Sequence, residues 1–202
     1  MAVLLGERLR VAFAPPRYLA LPLSGMDIST SGIKAVRLAN SIKGLILASY
    51  AEERLPSGAF TDGEIIDRAA VARVLSSVAK KIDIRVANVA LSESKSYLFE
   101  TTVSGTDAAE WRTAIEQRLD ELVPLPPPDT AFDIVKVGQG EQGDTIVAGI
   151  GFARRIVDDL LSVFDQTEIK VRSLEGETFA SSRALLPSGD DSTALIIDVG
   201  RT

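Results

Sequence analysis

The run Pro124-Leu-Pro-Pro-Pro128 halts any helix that reaches it, because each proline removes a backbone donor and fixes φ. Pro15, Pro16 and Pro22 do the same near the start, so residues 15–25 read as an extended lead-in. The chain is thereby restricted to short elements. From Gly25 the pattern is β-like: Met26 to Ile28, Ile33 to Leu38 and Gly44 to Tyr50 are separated by Ser, Thr and Gly and by Asn40-Ser41, as in an antiparallel meander. Pro56 and Gly58 break it. Val71, Val74, Leu75 and Val78 then recur at helical spacing behind Asp67, a natural N-cap, predicting a helix over 67–81. Val86 to Leu91 follows as a buried strand.

A second unit opens with a strand at Tyr97 to Val103. Asp107, with Glu110 three residues on, starts a helix carrying Trp111, Ile115, Leu119 and Leu122. Strands at Thr130 to Val137 and Thr145 to Ile150 form a hairpin across a Gly-rich loop. Ile156, Leu160, Leu161 and Phe164 mark a helix that begins at Arg154 and Arg155. This β-α-β-β-α unit reads as helices packed on an antiparallel sheet. Ile169 to Val171 is a further short strand, residues 176–186 a helix, and Ala194 to Val199 a strand leading into a polar turn.

With no histidine and no cysteine, these 202 residues hold no Ser-His-Asp triad, thiol nucleophile, His/Cys zinc site or disulfide. Any chemistry falls to carboxylates, hydroxyls, lysines, backbone amides or an oxygen-bound metal ion. A formal charge of -6, with no basic run, argues against nucleic acid as a partner. No window reaches the roughly 18 apolar residues of a membrane span, and Glu7, Arg8 and Arg10 interrupt a signal-type core. The expectation is a soluble cytoplasmic protein. Residues 1–13 are favoured as a plain lead-in over a membrane-touching amphipathic segment.

Two segments share one design. In Gly25-Met-Asp-Ile-Ser-Thr-Ser-Gly-Ile-Lys34 and in Leu195-Ile-Ile-Asp-Val-Gly-Arg-Thr202, an apolar strand delivers an aspartate to a turn of small residues. Such amide-lined turns hold phosphate oxygens, while the aspartate can hold Mg²⁺ through water. An ordinary hairpin turn has the same composition, and Lys34 on an alternating strand is also a plain surface lysine. Glu52-Glu53 and Asp158-Asp159 read as solvated faces, Trp111 as core, and Gly138-Gln-Gly-Glu-Gln-Gly143 as a hairpin loop.

Gly25-Met-Asp-Ile-Ser-Thr-Ser-Gly-Ile-Lys-Ala-Val36, Tyr50-Ala-Glu-Glu-Arg-Leu-Pro-Ser-Gly-Ala-Phe-Thr-Asp-Gly-Glu-Ile65 and Pro124-Leu-Pro126 together resemble the N-terminal part of the PilM-like family. These are actin-like type IV pilus assembly proteins related to FtsA. The resemblance implies an α/β, actin-like (ribonuclease H-like) subdomain 1A over 1–93 and 166–192. It implies an inserted α+β subdomain 1C, SHS2-like, over 94–165, and the start of a second lobe at 193–202. It also implies ATP and Mg²⁺ as ligands. Ser29, Thr30, Ser31 and Lys34 would form the first phosphate loop, Gly200 and Thr202 the second, and Asp27 and Asp198 would hold Mg²⁺ through water.

Ser29 stands where many relatives carry glycine, which hinders close approach of a phosphate. The implied partner is the cytoplasmic tail of a PilN-like inner-membrane protein, held in a groove between 1A and 1C near Val86 to Val103 and placing the chain at the inner face of that membrane. Self-association is left open. An active ATPase or phosphotransferase and a nucleotide-free interaction module stand as alternatives.

Overall fold

A computed structural model describes residues 23–41, 44–140, 143–186 and 192–198. The expected lead-in at 1–22 lies outside them. β1 (Leu23–Ser29), β2 (Gly32–Ser41) and β3 (Gly44–Glu53) form the antiparallel meander. The β2–β3 ladder runs through Ser41 opposite Gly44, so Asn40-Ser41, expected as a turn, belongs to the strand. A small hairpin of β4 (Phe60–Thr61) and β5 (Glu64–Ile65) leads into α1 (Arg68–Ile82), where the Asp67 carboxylate accepts from the Ala70 N–H as N-cap. β6 (Val86–Leu91) then returns parallel to β1.

The inserted unit contains β7 (Ser96–Val103), α2 (Ala108–Glu116), α3 (Leu119–Leu122), β8 (Thr130–Gln139) and β9 (Thr145–Ala153). After it come α4 (Arg154–Phe164), β10 (Lys170–Gly176) and α5 (Glu177–Leu185). The larger sheet has the order β10-β6-β1-β2-β3, and the insert's sheet the order β7-β9-β8. Asp107 caps α2 as expected, accepting from the Ala109 and Glu110 N–H groups. Glu110 closes the turn one residue earlier than a capping box would, accepting from the Thr106 N–H at 2.6 Å. The single helix expected to carry Trp111 through Leu122 is interrupted at Gln117-Arg118.

Two cores follow from the alternation of side chains. Met26, Ile28, Ile33, Ala35, Ala87 and Val89 project from one face of the larger sheet onto Val71, Leu75 and Val78 of α1. Val103, Ile115, Leu119, Val123 and Val147 form the smaller core within the insert. Leu160, Val163 and Phe164 of α4 lie in the larger core, not the smaller one. Arg155 bridges α4 to Glu64 at 2.7 and 3.0 Å, and Arg68 of α1 pairs with Asp159. The expected closing helix of a β-α-β-β-α insert thus packs with α1. Its apolar stripe demanded burial, and the larger sheet had the uncovered face to receive it.

The strand expected at Ala194 to Val199 is also corrected. Residues 193–198 carry no strand pairing among the described residues, and Leu195 and Ile197 are exposed. A β-strand is held by its neighbour's ladder, and an apolar sequence alone does not supply one.

Candidate functional site

The parallel strands β1, β6 and β10 end side by side. Asp27 lies opposite Ala90, which lies opposite Glu175, and Leu91 lies opposite Gly176. Ligands gather at the carboxyl ends of parallel strands because loops and helix starts converge there. The β1–β2 turn supplies the first cluster. Ser29 to Gly32 is a two-residue hairpin, so Asp27 on β1 and Lys34 on β2 are register partners on the sheet face opposite α1. The Ser29 and Ser31 hydroxyls lie 3.1 Å apart, and the Ser29 hydroxyl donates to the Gly32 carbonyl at 3.2 Å.

Asp27 is half-buried. Burial pushes its carboxyl up, Asp198 adds to the rise, and Lys34 opposes it. Glu177, the first residue of α5, is raised for the same reasons: burial first, then repulsion from Asp27, Asp198 and Glu93, with Lys34 again opposing. Sequence reasoning missed Glu177 because 150 positions separate it from Asp27. The one available signal was its place in the first turn of a helix directly after a strand.

The structure therefore brings Asp27, Ser29, Thr30, Ser31 and Lys34 together and adds Glu177. It places Asp198 close enough to raise both carboxyls, while Gly200 and Thr202 lie outside the described residues. No group of three acidic side chains among the described residues is arranged to hold a metal by itself. The donor set of carboxylates and hydroxyls nonetheless fits a hydrated hard cation carried by a phosphate, since repelling, partly desolvated carboxylates are relieved by positive charge.

A second feature lies beside the first. A groove of about 370 Å³ is walled by Val135 of β8, Ala148 and Ile150 of β9, Leu174 of β10, and Phe179 and Arg183 of α5. It separates the insert's sheet from the end of the larger one. It is a different place from the stretch Val86 to Val103 expected to offer a groove. Within that stretch β6 is a central strand with both ladders occupied and β7 is an edge of the insert's sheet, and the groove here lies between two other edge strands, β8 and β10. Arg183 pairs with Glu175 at the rim.

Residues 25–202 match the family model described as type IV pilus assembly protein PilM. Among solved structures, the chain is similar to one in a PilM-PilN type IV pilus biogenesis complex, at a TM-score of 0.72 and 20% identity, over 84% of this chain and 51% of that one. It is also similar to the cytoplasmic domain of EpsL, an inner-membrane component of the type II secretion system of Vibrio cholerae. There the TM-score is 0.56 and the identity 11%, over 79% of this chain and 59% of that one. The chain thus spans little more than half the length of either. These likenesses agree with the expected mixed α/β fold.

Proposed function

The chain belongs to the type IV pilus assembly PilM family, and from that premise we propose that it is the partner-binding part of a scaffold at the cytoplasmic face of the inner membrane. The groove between the insert and the end of the larger sheet takes the cytoplasmic tail of a PilN-like inner-membrane protein. The observation that carries this reading is the groove's construction: an apolar floor of Val135, Ala148, Ile150, Leu174 and Phe179 flanked by two edge strands. An extended peptide needs those two things, ladder partners for its backbone and pockets for its apolar side chains.

No helix among the described residues is long and apolar enough to cross a membrane. Attachment to the membrane then runs through the partner. The test is fluorescence anisotropy of a labelled tail peptide from the PilN-like protein encoded in the same genome. Val135→Asp introduces a charge at a half-exposed groove position, where the fold tolerates it. Binding should weaken at least about tenfold. Equal affinity in wild type and V135D, or no binding by wild type, refutes the reading.

At the neighbouring carboxylates the ligand that the family resemblance implies is ATP with Mg²⁺. Asp27 and Glu177 would hold Mg²⁺, which would supply positive charge against theirs and the phosphate's. Lys34 would face the phosphate charge, and Thr30 would offer its hydroxyl from the turn. Calorimetric titration with Mg-ATP, with Asp27→Ala as control, tests this. A second reading, a nucleotide-independent interaction module, draws on the Ser29 and Ser31 hydroxyls being engaged with each other and with the Gly32 carbonyl. Absence of heat in the titration together with intact peptide binding selects it.

A further inference from the structure

Three consecutive residues at the head of α5 face three different parts of the molecule. Glu177 faces the carboxylates Asp27 and Asp198. Phe179 faces the groove, as Ser182 and Arg183 do farther along the helix. Thr178, between them, is held by Glu93: its N–H donates to Oε1 at 2.6 Å and its hydroxyl donates to Oε2.

Glu93 stands in the short 3₁₀ turn, Glu93–Lys95, that joins β6 to β7 and so forms the root of the insert. The turn is closed on itself by the Ser96 hydroxyl, which donates to the Glu93 carbonyl at 3.1 Å. The junction is also tightly packed. A Cβ added at Gly176 would lie 2.5 Å from Cδ1 of Ile150 and 3.2 Å from Oε1 of Glu93. Ile150 on the groove floor, Glu93 at the root of the insert and the first turn of α5 thus meet around one glycine.

We propose that Glu93 is a positioning residue that couples the two sites. By clamping Thr178 it makes the carboxylate cluster and the groove wall parts of one rigid element, so that neutralising the cluster moves the wall and seating a peptide in the groove alters the cluster. The physical argument is one of connectivity. A bidentate charge-assisted clamp at a helix N-terminus is among the stronger local ties a fold can make. Without it, α5 could shift towards or away from Asp27 independently of the insert. With it, a displacement of α5 pulls on the residue from which the insert springs. Coupling of this kind is reciprocal: whatever factor the cluster's ligand imposes on peptide affinity, the peptide imposes on the cluster's ligand. In the pilus machine this would let the cluster's occupancy set the grip on the membrane partner. That consequence rests on the groove being the tail site, but the clamp itself does not.

The experiment uses the 202-residue chain without ligands and methyl NMR of Ile150, whose Cδ1 sits at the junction. Asp27→Asn stands in for neutralisation of the cluster by removing the charge that repels Glu177. With Glu93 present, D27N displaces the Ile150 δ1-methyl resonance by more than its linewidth. In the Glu93→Ala background that displacement falls at least about fivefold, the lower end of ordinary coupling between sites. Thr178→Val, which removes the hydroxyl bond to Oε2 and leaves the N–H bond to Oε1, is a partial cut that should still lower the displacement should E93A fold poorly. A displacement equally large in E93A and T178V, or absent with Glu93 in place, overturns the proposal. Peptide anisotropy on the same proteins is a separate readout: failure of the tail to bind refutes the reading of the groove, and the methyl result still decides the clamp.

Discussion

Replacing Gly32 by alanine should be one of the most damaging single changes outside the cores. Gly32 closes the β1–β2 turn at φ +152°, and an added Cβ would lie inside van der Waals contact with the Glu53 carbonyl oxygen, 3.0 Å from Cα of Arg54 and 3.1 Å from the Glu53 carbonyl carbon. All three neighbours are backbone, and Glu53 is fixed in the β2–β3 ladder opposite Ile33, so no side chain can swing aside. The positive φ costs an L-residue about 1–2 kcal/mol, and overpacking against a rigid wall adds about 1–3 kcal/mol. Gly58 supplies the control, because it has φ +78° and open space where a Cβ would sit. G58A should therefore lose only the conformational part. Urea unfolding followed by circular dichroism should place G32A below G58A by about 1–3 kcal/mol with unchanged slope. Two variants within about 0.5 kcal/mol of each other would refute the steric argument and mean that β3 yields more easily than its ladder suggests.

Asp27→Asn should raise stability at pH 7, because the raised carboxyl of Asp27 reports a charge that folding disfavours. Stability from such a group is fully present below its unfolded pKa and is lost as pH rises through the folded value. The gain of D27N over wild type should then shrink on acidification into the ordinary carboxylate range, and Glu177→Gln should follow the same course; a gap independent of pH would refute the assignment. Leu160→Ala and Ile115→Ala should each cost about 2–5 kcal/mol, in different bodies. L160A should shift the circular dichroism transition more than Trp111 fluorescence, and I115A the reverse, since Trp111 packs on the insert's core. Equal shifts by both probes would refute the packing of α4 with α1.

Local chemistry was well written in the sequence. Asp67 and Asp107 are short acceptors ahead of apolar-periodic segments, and both cap their helices. The meander read from Gly25 to Tyr50 followed from alternation punctuated by turn residues, and the third strand runs three residues further, to Glu53. What the sequence withheld was choice among partners. The stripe Ile156, Leu160, Phe164 states that α4 is buried without stating against which sheet. The apolar run at 194–198 states β-propensity without a neighbour to pair with. Edge and interior strands of similar composition are also alike in sequence, so the stretch Val86 to Val103 does not declare that β6 lies between two ladders while β7 stands at an edge. Of the candidate site, the β1–β2 turn was legible because its residues are contiguous. Glu177, Glu93 and the groove residues were not, because their significance arises from parallel strands that align distant positions.

That alignment also explains why the carboxylate cluster and the groove share one end of the molecule. A βαβ crossover brings β6 back parallel to β1, and β10 joins on the far side in the same sense, so all three strands release their chains at the same edge. One release becomes the turn with Ser29 to Gly32, the second becomes the root of the insert at Glu93, and the third becomes α5 at Glu177. Anything inserted after β6 must therefore spring from beside the carboxylates, and any groove it makes with β10 must share α5 as a wall. The acidic excess at this edge follows too. Asp27, Glu93 and Glu177 come from separate strand ends with Lys34 as the cation that opposes their repulsion, an arrangement that is unfavourable when empty and relieved by a positively charged ligand.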